Sequence, residues 1–406
     1  MRRNEIDYIL NTMLDAHKDV SDLILTVDKP LQVEVSGELK PVAVNPSIER
    51  LSPFHTETFA LNLLGGSHRL TEELLRTGSC DSSYSLGDRA RFRVNVFAQR
   101  GYYSIVLRKL NAHIPALGDL SLPEVVLNAA KEKTGLVLVT GATGSGKSTT
   151  LAALIDDINA HKPVHIVTLE DPVEFVYKQK VATINQRELG GDFDSFASGL
   201  RAALRQAPKV ILVGEMRDRA TVEIALNAAE TGHLVFSTLH TIDAGQTINR
   251  ILGMFETEEQ EQLRYRLADT LRWVISQRLA PRIGGGRLPV TEIMGNNLRT
   301  KETIVQGESE GKSFYEIIDA SQTFGWRTFD QSVLEAYQKG VITEETALAF
   351  SSKRGVVTRG IDNLKKSRGD GAPQLSELRM SSRSDHSRPA PRVVAPMEIP
   401  ANLKLK

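Results

Sequence analysis

The sequence has few of the features that mark secreted, membrane-spanning or nucleic-acid-binding proteins. It contains one cysteine, Cys80, in 406 residues, which excludes an internal disulfide and a cysteine zinc cluster. No apolar run approaches the roughly 18 residues that span a bilayer. Basic and acidic residues cancel to a formal net charge of zero, and only 6% of residues are aromatic. We therefore expect a cytoplasmic protein without affinity for nucleic acid, which meets a membrane only through partners.

The alternation of short patterns along the chain predicts two domains. The first part combines an amphipathic helix from Ile6 to Ala16 with alternating runs such as "LQVEVSGELKPV" and "RARFRVNVFAQRGYYSIVLRKL", which is typical of a small α+β domain on an antiparallel sheet. The final segment is rich in Ser, Arg, Pro and Gly, and a segment of this composition is expected to be disordered. The predicted division is residues 1–110 for the first domain, 111–123 for a linker, 124–366 for the second domain and 367–406 for a disordered tail.

The second domain alternates apolar strands with helices, the pattern of an α/β fold. Its strand candidates are "LVLVT", "VHIVTLE", "KVILVGE" and "HLVFSTL", which predict a parallel sheet with helices on both faces and ligands at the carboxyl ends of the strands. After His240 we predict mostly helices, in "TEEQEQLRYRLADTLRWVISQRLA" and "TFDQSVLEAYQKGVITEETALAFSS", separated by the turn "RIGGGRLP".

A glycine-rich loop lies between a predicted strand and a predicted helix in "GLVLVTGATGSGKSTTLAALIDDINA". Its spacing fits G-x-x-x-x-G-K-[ST], in which backbone N–H groups and the helix dipole hold nucleotide phosphates. Lys147 is then expected to reach the β- and γ-phosphates, and Ser148 to hold Mg²⁺. A glycine-rich turn without a ligand is the alternative. The predicted ATP-binding residues are Gly141, Ala142, Thr143, Gly144, Ser145, Gly146, Lys147, Ser148 and Thr149.

Hydrolysis also needs carboxylates that bind Mg²⁺ and orient the attacking water, and two strand ends supply such carboxylates. Glu215 follows the apolar strand in "KVILVGEMRD" and is similar to a Walker B acidic residue. Glu170, Asp171 and Glu174 follow another strand in "TLEDPVEF", where their mutual repulsion raises their pKa values and Mg²⁺ would relieve it. The candidate metal ligands are Ser148, Glu215 and Asp171, with a solvated loop tip as the alternative for the acidic cluster.

Two histidines and a row of arginines are further candidates. His240 ends the strand in "TGHLVFSTLHT" and could sense a γ-phosphate, whereas His233 begins it and could equally be structural. Alternation in "RARFRVNV" places Arg93 on one face of a strand with other arginines, and Arg108 ends the neighbouring strand. Such a row is usually a solvated face, but an arginine aimed at a neighbouring subunit's phosphate is an arginine finger.

With "GATGSGKST", "TLEDPVEF", "RAALRQAPKVILVGEMRD" and "TGHLVFSTLHT" in this order, the chain resembles the type IV pilus class of secretion ATPases, and within it the retraction motor family of PilT and PilU. The resemblance implies a PAS-like first domain, a RecA-like ATPase core and a homohexamer driven by ATP and Mg²⁺. It also implies an inner-membrane platform protein of the pilus machinery as partner, together with a paralogous pilus ATPase.

The resemblance also implies roles for individual residues. Glu174 corresponds to the general base, with Glu170 as the second choice, and Glu215 to the Walker B glutamate. His233 and His240 match the family's histidine motif, which assigns His233 to nucleotide binding and His240 to catalysis. Arg93 and Arg108 match its nucleotide-contacting arginines and are the further catalytic candidates.

The chain departs from the family pattern in two places, and three other readings stay open. Ala207 and Lys209 stand where the family usually has aspartates, and the "AIRAGEMS"-like signature is not recognisable near "EIMGNNLRTKETIVQGESEGKSF". An accessory role like that of PilU is therefore an alternative to direct retraction. A pilus extension or type II secretion ATPase, a nucleic-acid-translocating motor and a non-catalytic nucleotide-sensing scaffold are the other readings.

Overall fold

The computed structural model describes residues 2–110 and 113–368, without the side chain of Arg368, and its first part is built on an antiparallel sheet. The described strands of this sheet run in the order β3-β2-β1-β6-β5-β4, and each neighbouring pair is antiparallel. The elements are α1 (Arg3–Asp15), β1 (Val20–Leu25), β2 (Leu31–Val35), β3 (Glu38–Val42), α2 (Pro53–Leu63), α3 (His68–Thr77), β4 (Ser79–Leu86), β5 (Ala90–Gln99) and β6 (Tyr102–Leu110).

One apolar core joins this sheet to its helices. The apolar residues that predicted the first helix are all buried in it, namely Ile6, Ile9, Leu10, Met13 and Leu14. Phe92 and Val94 of β5 face the same core, while Arg91 and Arg93 alternate with them on the other face. Burial of each large aliphatic side chain contributes about 1.5–3 kcal/mol, so the helix is held by its apolar face.

The second part is built on a larger sheet in the order β13-β12-β7-β11-β10-β8-β9. Its strands are β7 (Gly135–Thr140), β8 (His165–Glu170), β9 (Thr183–Glu188), β10 (Val210–Val213), β11 (Leu234–Leu239), β12 (Leu271–Pro281) and β13 (Arg287–Met294). Its helices are α4 (Leu127–Lys131), α5 (Lys147–His161), α6 (Phe196–Ala203), α7 (Arg219–Glu230), α8 (Ala244–Leu252), α9 (Thr257–Thr270), α10 (Leu298–Gln306), α11 (Phe314–Asp319), α12 (Phe329–Gln338), α13 (Glu344–Ala349) and α14 (Arg354–Arg368).

Alternate residues of the central strands bury into two separate cores, one on each face of this sheet. In β7, Leu136 and Leu138 belong to the core formed with α7, α8 and α9, whereas Val137 and Val139 belong to the core formed with α5. Strands β7 to β11 pair in parallel, so their carboxyl ends meet at one edge. The expected α/β fold, with a preceding antiparallel sheet and a following helical region, is confirmed.

The region after His240 is less helical than the sequence pattern predicts. The single helix expected for "TEEQEQLRYRLADTLRWVISQRLA" ends at Thr270, and the rest is strand β12, which pairs in parallel with β7 and antiparallel with β13. The predicted turn "RIGGGRLP" connects β12 to β13. The prediction was wrong because the apolar residues of β12 also fit a helical period, and only pairing with β7 selects the strand.

The C-terminal helices pack on the β12–β13 hairpin. Phe329 and Val333 of α12 share a core with Val290 of β13 and Ile361 of α14. Among the described residues, none of the helices has both the length and the apolar character needed to cross a bilayer. The tail predicted for 367–406 lies outside the described residues, apart from its first two residues, which end α14.

Ala207 has a left-handed backbone, with φ of 53°. This conformation costs an L-residue with a β-carbon roughly 1–2 kcal/mol, and glycine avoids that cost. We expect Ala207→Gly to raise the free energy of unfolding by about 1 kcal/mol in a denaturant titration. The matched control is Ala202→Gly inside α6, which should lower it by about 0.5–1 kcal/mol. Equal effects of the two substitutions would contradict the prediction.

Glu292 is a carboxyl group buried between β13 and the start of α8. One of its oxygens accepts a hydrogen bond from the backbone N–H of Ala244 at 3.0 Å, and burial raises its pKa to about 7. The folded state therefore keeps a proton that the unfolded chain loses near pH 4.5, so stability falls as the pH rises towards 7. Glutamine at this position keeps the acceptor oxygen and removes the titration.

We expect the stability advantage of Glu292→Gln over the unsubstituted protein to grow between pH 5 and pH 7. The growth should reach at most about 1.4 kcal/mol per pH unit, which corresponds to one proton, and it should level off above about pH 8. Denaturant titrations of both proteins across this range measure the difference. A difference that is constant from pH 5 to pH 7 would show that Glu292 does not hold the proton.

Candidate nucleotide-binding site

The loop between β7 and α5 forms a cradle that only glycine permits at two positions. Gly141 has φ of 142°, and a β-carbon there would lie 2.4 Å from the carbonyl oxygen of Gln277. Gly146, with φ of 91°, is the N-cap of α5. The free N–H groups and the dipole of α5 therefore face the loop. The side-chain hydroxyl of Ser145 is buried there without a hydrogen-bond partner, as expected of a group that serves a ligand.

Lys147 is the buried cation of this loop. Its Nζ donates to the carbonyl oxygens of Gly141 at 2.8 Å and Ala142 at 3.0 Å, and only 8% of the residue is exposed. Burial lowers the pKa of Lys147, while the nearby carboxylates of Glu174 and Glu215 act in the opposite direction. A buried ammonium group beside the glycine loop is suited to bind phosphate oxygens.

A cavity of about 300 Å³ lies beside this loop, at the carboxyl ends of β7, β8, β10 and β11. The side chains that line the cavity are up to 147 positions apart in the sequence, from Arg93 on β5 of the first sheet to His240 after β11. The predicted site residues that line the cavity are Arg93, Thr143, Gly144, Lys147, Ser148, Glu170, Asp171, Glu174, Glu215 and His240.

The two glutamates after β8 differ in their surroundings. Glu170 is half-buried, accepts hydrogen bonds from Thr168 at 2.7 Å and Gln186 at 3.1 Å, and has a pKa raised to about 7 by desolvation. Glu174 lines the cavity near the Lys147 ammonium. Burial also raises the pKa of Asp171, which the nearby Arg93 opposes. Residues 171–174, called the acidic loop, therefore place the Glu174 carboxyl group near Lys147, while the Glu170 carboxyl group at the end of β8 is held by its hydrogen-bond donors.

Glu215 is held between two basic side chains at the end of β10. One carboxylate oxygen lies 2.5 Å from Nε of Arg217, and the other lies 3.6 Å from Nε2 of His240. Burial and the Lys147 ammonium lower the pKa of His240. His240 is therefore neutral at pH 7 and retains one nitrogen that can accept a hydrogen bond.

Five predicted residues belong to the loop without lining the cavity, namely Gly141, Ala142, Ser145, Gly146 and Thr149. Arg108 and His233 lie away from both the loop and the cavity. Arg108 on β6 donates from Nε to Asp22 at 2.8 Å, and its side chain is largely exposed. His233 lies at the opposite end of β11, where Nδ1 is 2.9 Å from the carbonyl oxygen of Ala228. This contact agrees with the structural alternative for His233.

Sequence reasoning missed two polar residues of the cavity region. Arg217 lines the cavity, and its position two residues after Glu215 in "GEMRD" was a usable signal. Gln186 on β9 donates to Glu170 and to the carbonyl oxygen of Phe175, and it accepts from the backbone of Tyr177. No sequence signal indicates Gln186, because its contact with Glu170 depends on the pairing of β8 with β9, which only the tertiary structure shows.

A glycine cradle at the start of a helix, a buried lysine and facing carboxylates on a parallel sheet define a P-loop ATPase. The family model described as Type II/IV secretion system protein matches residues 84–287. The chain is 40% identical to the type IV pilus retraction ATPase PilT of Pseudomonas aeruginosa over 335 residues, which cover 82% of this chain and 94% of that protein. It is 37% identical to the type IV pilus ATPase PilU of the same organism, over 86% of this chain and 88% of that protein.

A solved structure agrees with these sequence matches. The crystal structure of the pilus retraction motor PilT with bound ADP superimposes with a TM-score of 0.78 and 42% identity, covering 87% of this chain and 99% of that one. The chain therefore belongs to the Type II/IV secretion system protein family, and within it to the PilT/PilU-like type IV pilus retraction ATPases. It is an ATPase.

Proposed function

We propose that this chain is a subunit of a hexameric motor that uses ATP and Mg²⁺ to retract type IV pili at the cytoplasmic face of the inner membrane. The cavity that brings Lys147 together with Glu174 and Glu215 is the observation that carries the proposal. The match to PilT over nearly the whole of that protein supports the pilus role. The platform protein of the pilus machinery is the proposed partner, and a paralogous pilus ATPase is a second one.

Each side chain of the cavity has a proposed role in this reaction. Lys147 and the N–H groups of the loop bind the β- and γ-phosphates. Glu174 accepts a proton from the attacking water, because it lines the cavity near the Lys147 ammonium, whereas the Glu170 carboxylate is held by hydrogen bonds from Thr168 and Gln186. His240 donates the N–H of its neutral imidazole to the γ-phosphate end of the site. Arg93 adds positive charge from the first sheet.

The donors of the cavity fit Mg²⁺. Ser148 offers a hydroxyl group, and Glu215 and Asp171 offer carboxylates, which are the hard oxygen ligands that this ion prefers. Mg²⁺ usually keeps several waters and binds through one or two carboxylates together with phosphate oxygens, and when bound it would neutralise charge on the phosphates. We therefore propose Ser148, Glu215 and Asp171 as its protein contacts, directly or through water.

Arg108 is proposed to act on the nucleotide of a neighbouring subunit. Its side chain is 69% exposed and does not line the cavity of its own chain. A trans-acting arginine has to be accessible in this way.

ATP turnover by the full-length protein with Mg²⁺, measured together with oligomer mass, tests the proposal. We expect turnover only in samples that form rings.

Mixed rings of Arg108→Ala and Lys147→Ala subunits should regain activity at interfaces that combine an intact loop with an intact arginine. In its own cells, loss of the protein should leave pili that do not retract. Nucleotide binding by a monomer without ATP turnover would contradict the proposed motor function and favour the alternative of a non-catalytic nucleotide-sensing scaffold.

A further inference from the structure

The four arginines at or near the ends of β5 and β6 have different partners in the structure. Arg89 pairs with Asp15 of α1, Arg108 pairs with Asp22 and Arg93 lines the cavity. Arg91 pairs with neither of these aspartates and does not line the cavity. It lies on the same face of β5 as Arg93, two residues earlier, and its contacts are with the acidic loop that follows β8.

Arg91 uses both terminal nitrogens of its guanidinium group in these contacts. Nη1 donates to the carbonyl oxygen of Val173 at 2.8 Å, and Nη2 donates to Glu188 at 2.6 Å. Nη2 also lies 3.1 Å from the hydroxyl of Ser83. Both charged side chains are mostly buried, with 19% of Arg91 and 16% of Glu188 exposed. A planar fork with two fixed donors suits this geometry, whereas a lysine ammonium is a single point charge.

Glu188 completes the arrangement from the end of β9. The carboxylate oxygen that binds Arg91 also accepts the backbone N–H of Val173 at 3.1 Å. Both backbone polar groups of Val173 are therefore paired through Arg91 and Glu188, and a buried backbone group without a partner is costly. Val173 lies directly between Pro172 and Glu174. Its position fixes where the Glu174 carboxylate enters the cavity.

We propose that Arg91 is a positioning residue of the nucleotide site: together with Glu188 it ties the first sheet to the backbone of residues 171–174, so that the position of β5 sets the position of Glu174. The inference rests on the proposed function, because it assigns Glu174 to ATP hydrolysis. Since β5 also carries Arg93 into the cavity, one strand places both a cation and the acidic loop. A displacement of β5 relative to the second sheet would move both groups together.

Steady-state turnover and amide exchange of Arg91→Ala test the proposal. Misplacement of a catalytic group by about 1 Å costs on the order of 100-fold in rate, so we expect kcat to fall between 10-fold and 100-fold. Affinity for ADP, measured with a fluorescent ADP analogue, should change by less than about 3-fold, because Arg91 does not line the cavity. Exchange of the amides of residues 171–177 should become faster. Arg91→Lys should not restore kcat, since one ammonium group cannot reach both partners.

The matched control is Arg89→Ala, which removes an arginine and its ion pair with Asp15 from the same end of β5. It should leave both kcat and the exchange of residues 171–177 unchanged. Melting temperature and oligomer mass are recorded for every variant, and Arg91→Lys serves as the second variant if Arg91→Ala does not fold.

Three results would overturn the proposal. If Arg91→Ala or Arg91→Lys keeps kcat within 2-fold while only the melting temperature falls, Arg91 is merely structural. If ADP affinity falls as much as kcat, Arg91 contacts the nucleotide instead. If the unsubstituted protein has no turnover, the proposed function fails separately. Unchanged amide exchange in Arg91→Ala would then still overturn the tie to the acidic loop, and faster exchange would support it.

Discussion

Lys147→Ala is expected to reduce ATP turnover by at least about 100-fold and to weaken nucleotide binding. The substitution removes the ammonium group that donates to the carbonyl oxygens of the glycine cradle, and loss of a single preorganised hydrogen-bond donor at a reacting group typically costs about 10²–10³ in rate. It also removes the positive charge near Glu174 and Glu215. Steady-state turnover and equilibrium binding of ADP measure the two effects.

Lys162→Ala is the matched control for this substitution. Like Lys147, Lys162 donates from Nζ to two backbone carbonyl oxygens, those of Ala130 and Glu132, and burial lowers its pKa. It does not line the cavity. We expect Lys162→Ala to change stability but to leave turnover per folded ring within about 2-fold. Similar losses of turnover in both variants would show that the effect of Lys147→Ala is structural rather than chemical.

Glu174→Gln is expected to lower kcat by about 100-fold while nucleotide binding is retained. Glutamine has nearly the same shape but cannot accept the proton of the attacking water, and general base catalysis contributes about 10²–10⁴ in rate. Single-turnover measurements with saturating ATP separate this loss from slow product release.

Glu170→Gln is the matched comparison, since the same change is made four residues earlier, at the end of β8. Glutamine can still accept the hydrogen bonds of Thr168 and Gln186, so we expect less than a 10-fold loss. If Glu170 were the base, Glu170→Gln would have the larger effect. Turnover of the unsubstituted protein would then fall as the pH falls below about 7, where Glu170 takes up its proton. The order of the two losses therefore identifies the base.

Local sequence signals predicted the central part of the site but not its partners. The spacing of Gly141, Gly146, Lys147 and Ser148 predicts a helix start and a phosphate cradle together, because both depend on adjacent backbone groups. The structure brings this loop to the carboxylates after β8 and β10. In contrast, Gln186 and the contacts of Arg91 depend on which strand lies next to which, and no local pattern carries that information.

The row of arginines illustrates the same difference within one strand. Alternation correctly placed Arg91 and Arg93 on one face of β5. It could not tell which of them faces the cavity and which binds the acidic loop, because that depends on how the strand meets residues about 80 positions away. The strand β12 was mistaken for helix for a related reason, since its apolar residues allow either period and the choice is made by pairing with β7.

The sequence by itself determined the phosphate-binding loop, the acidic residues at the strand ends and the order of the two sheets. It also determined the resemblance of the chain to the type IV pilus ATPases. These features are encoded by neighbouring residues, whose spacing fixes backbone geometry and chemistry together. Only the tertiary structure decided that Glu170 is held by its hydrogen-bond donors while Glu174 lies near the lysine, that β12 completes the sheet, and that Arg91 binds the loop. Burial and long-range pairing set these outcomes, because the free energy of a charge or a strand edge depends on what surrounds it in space.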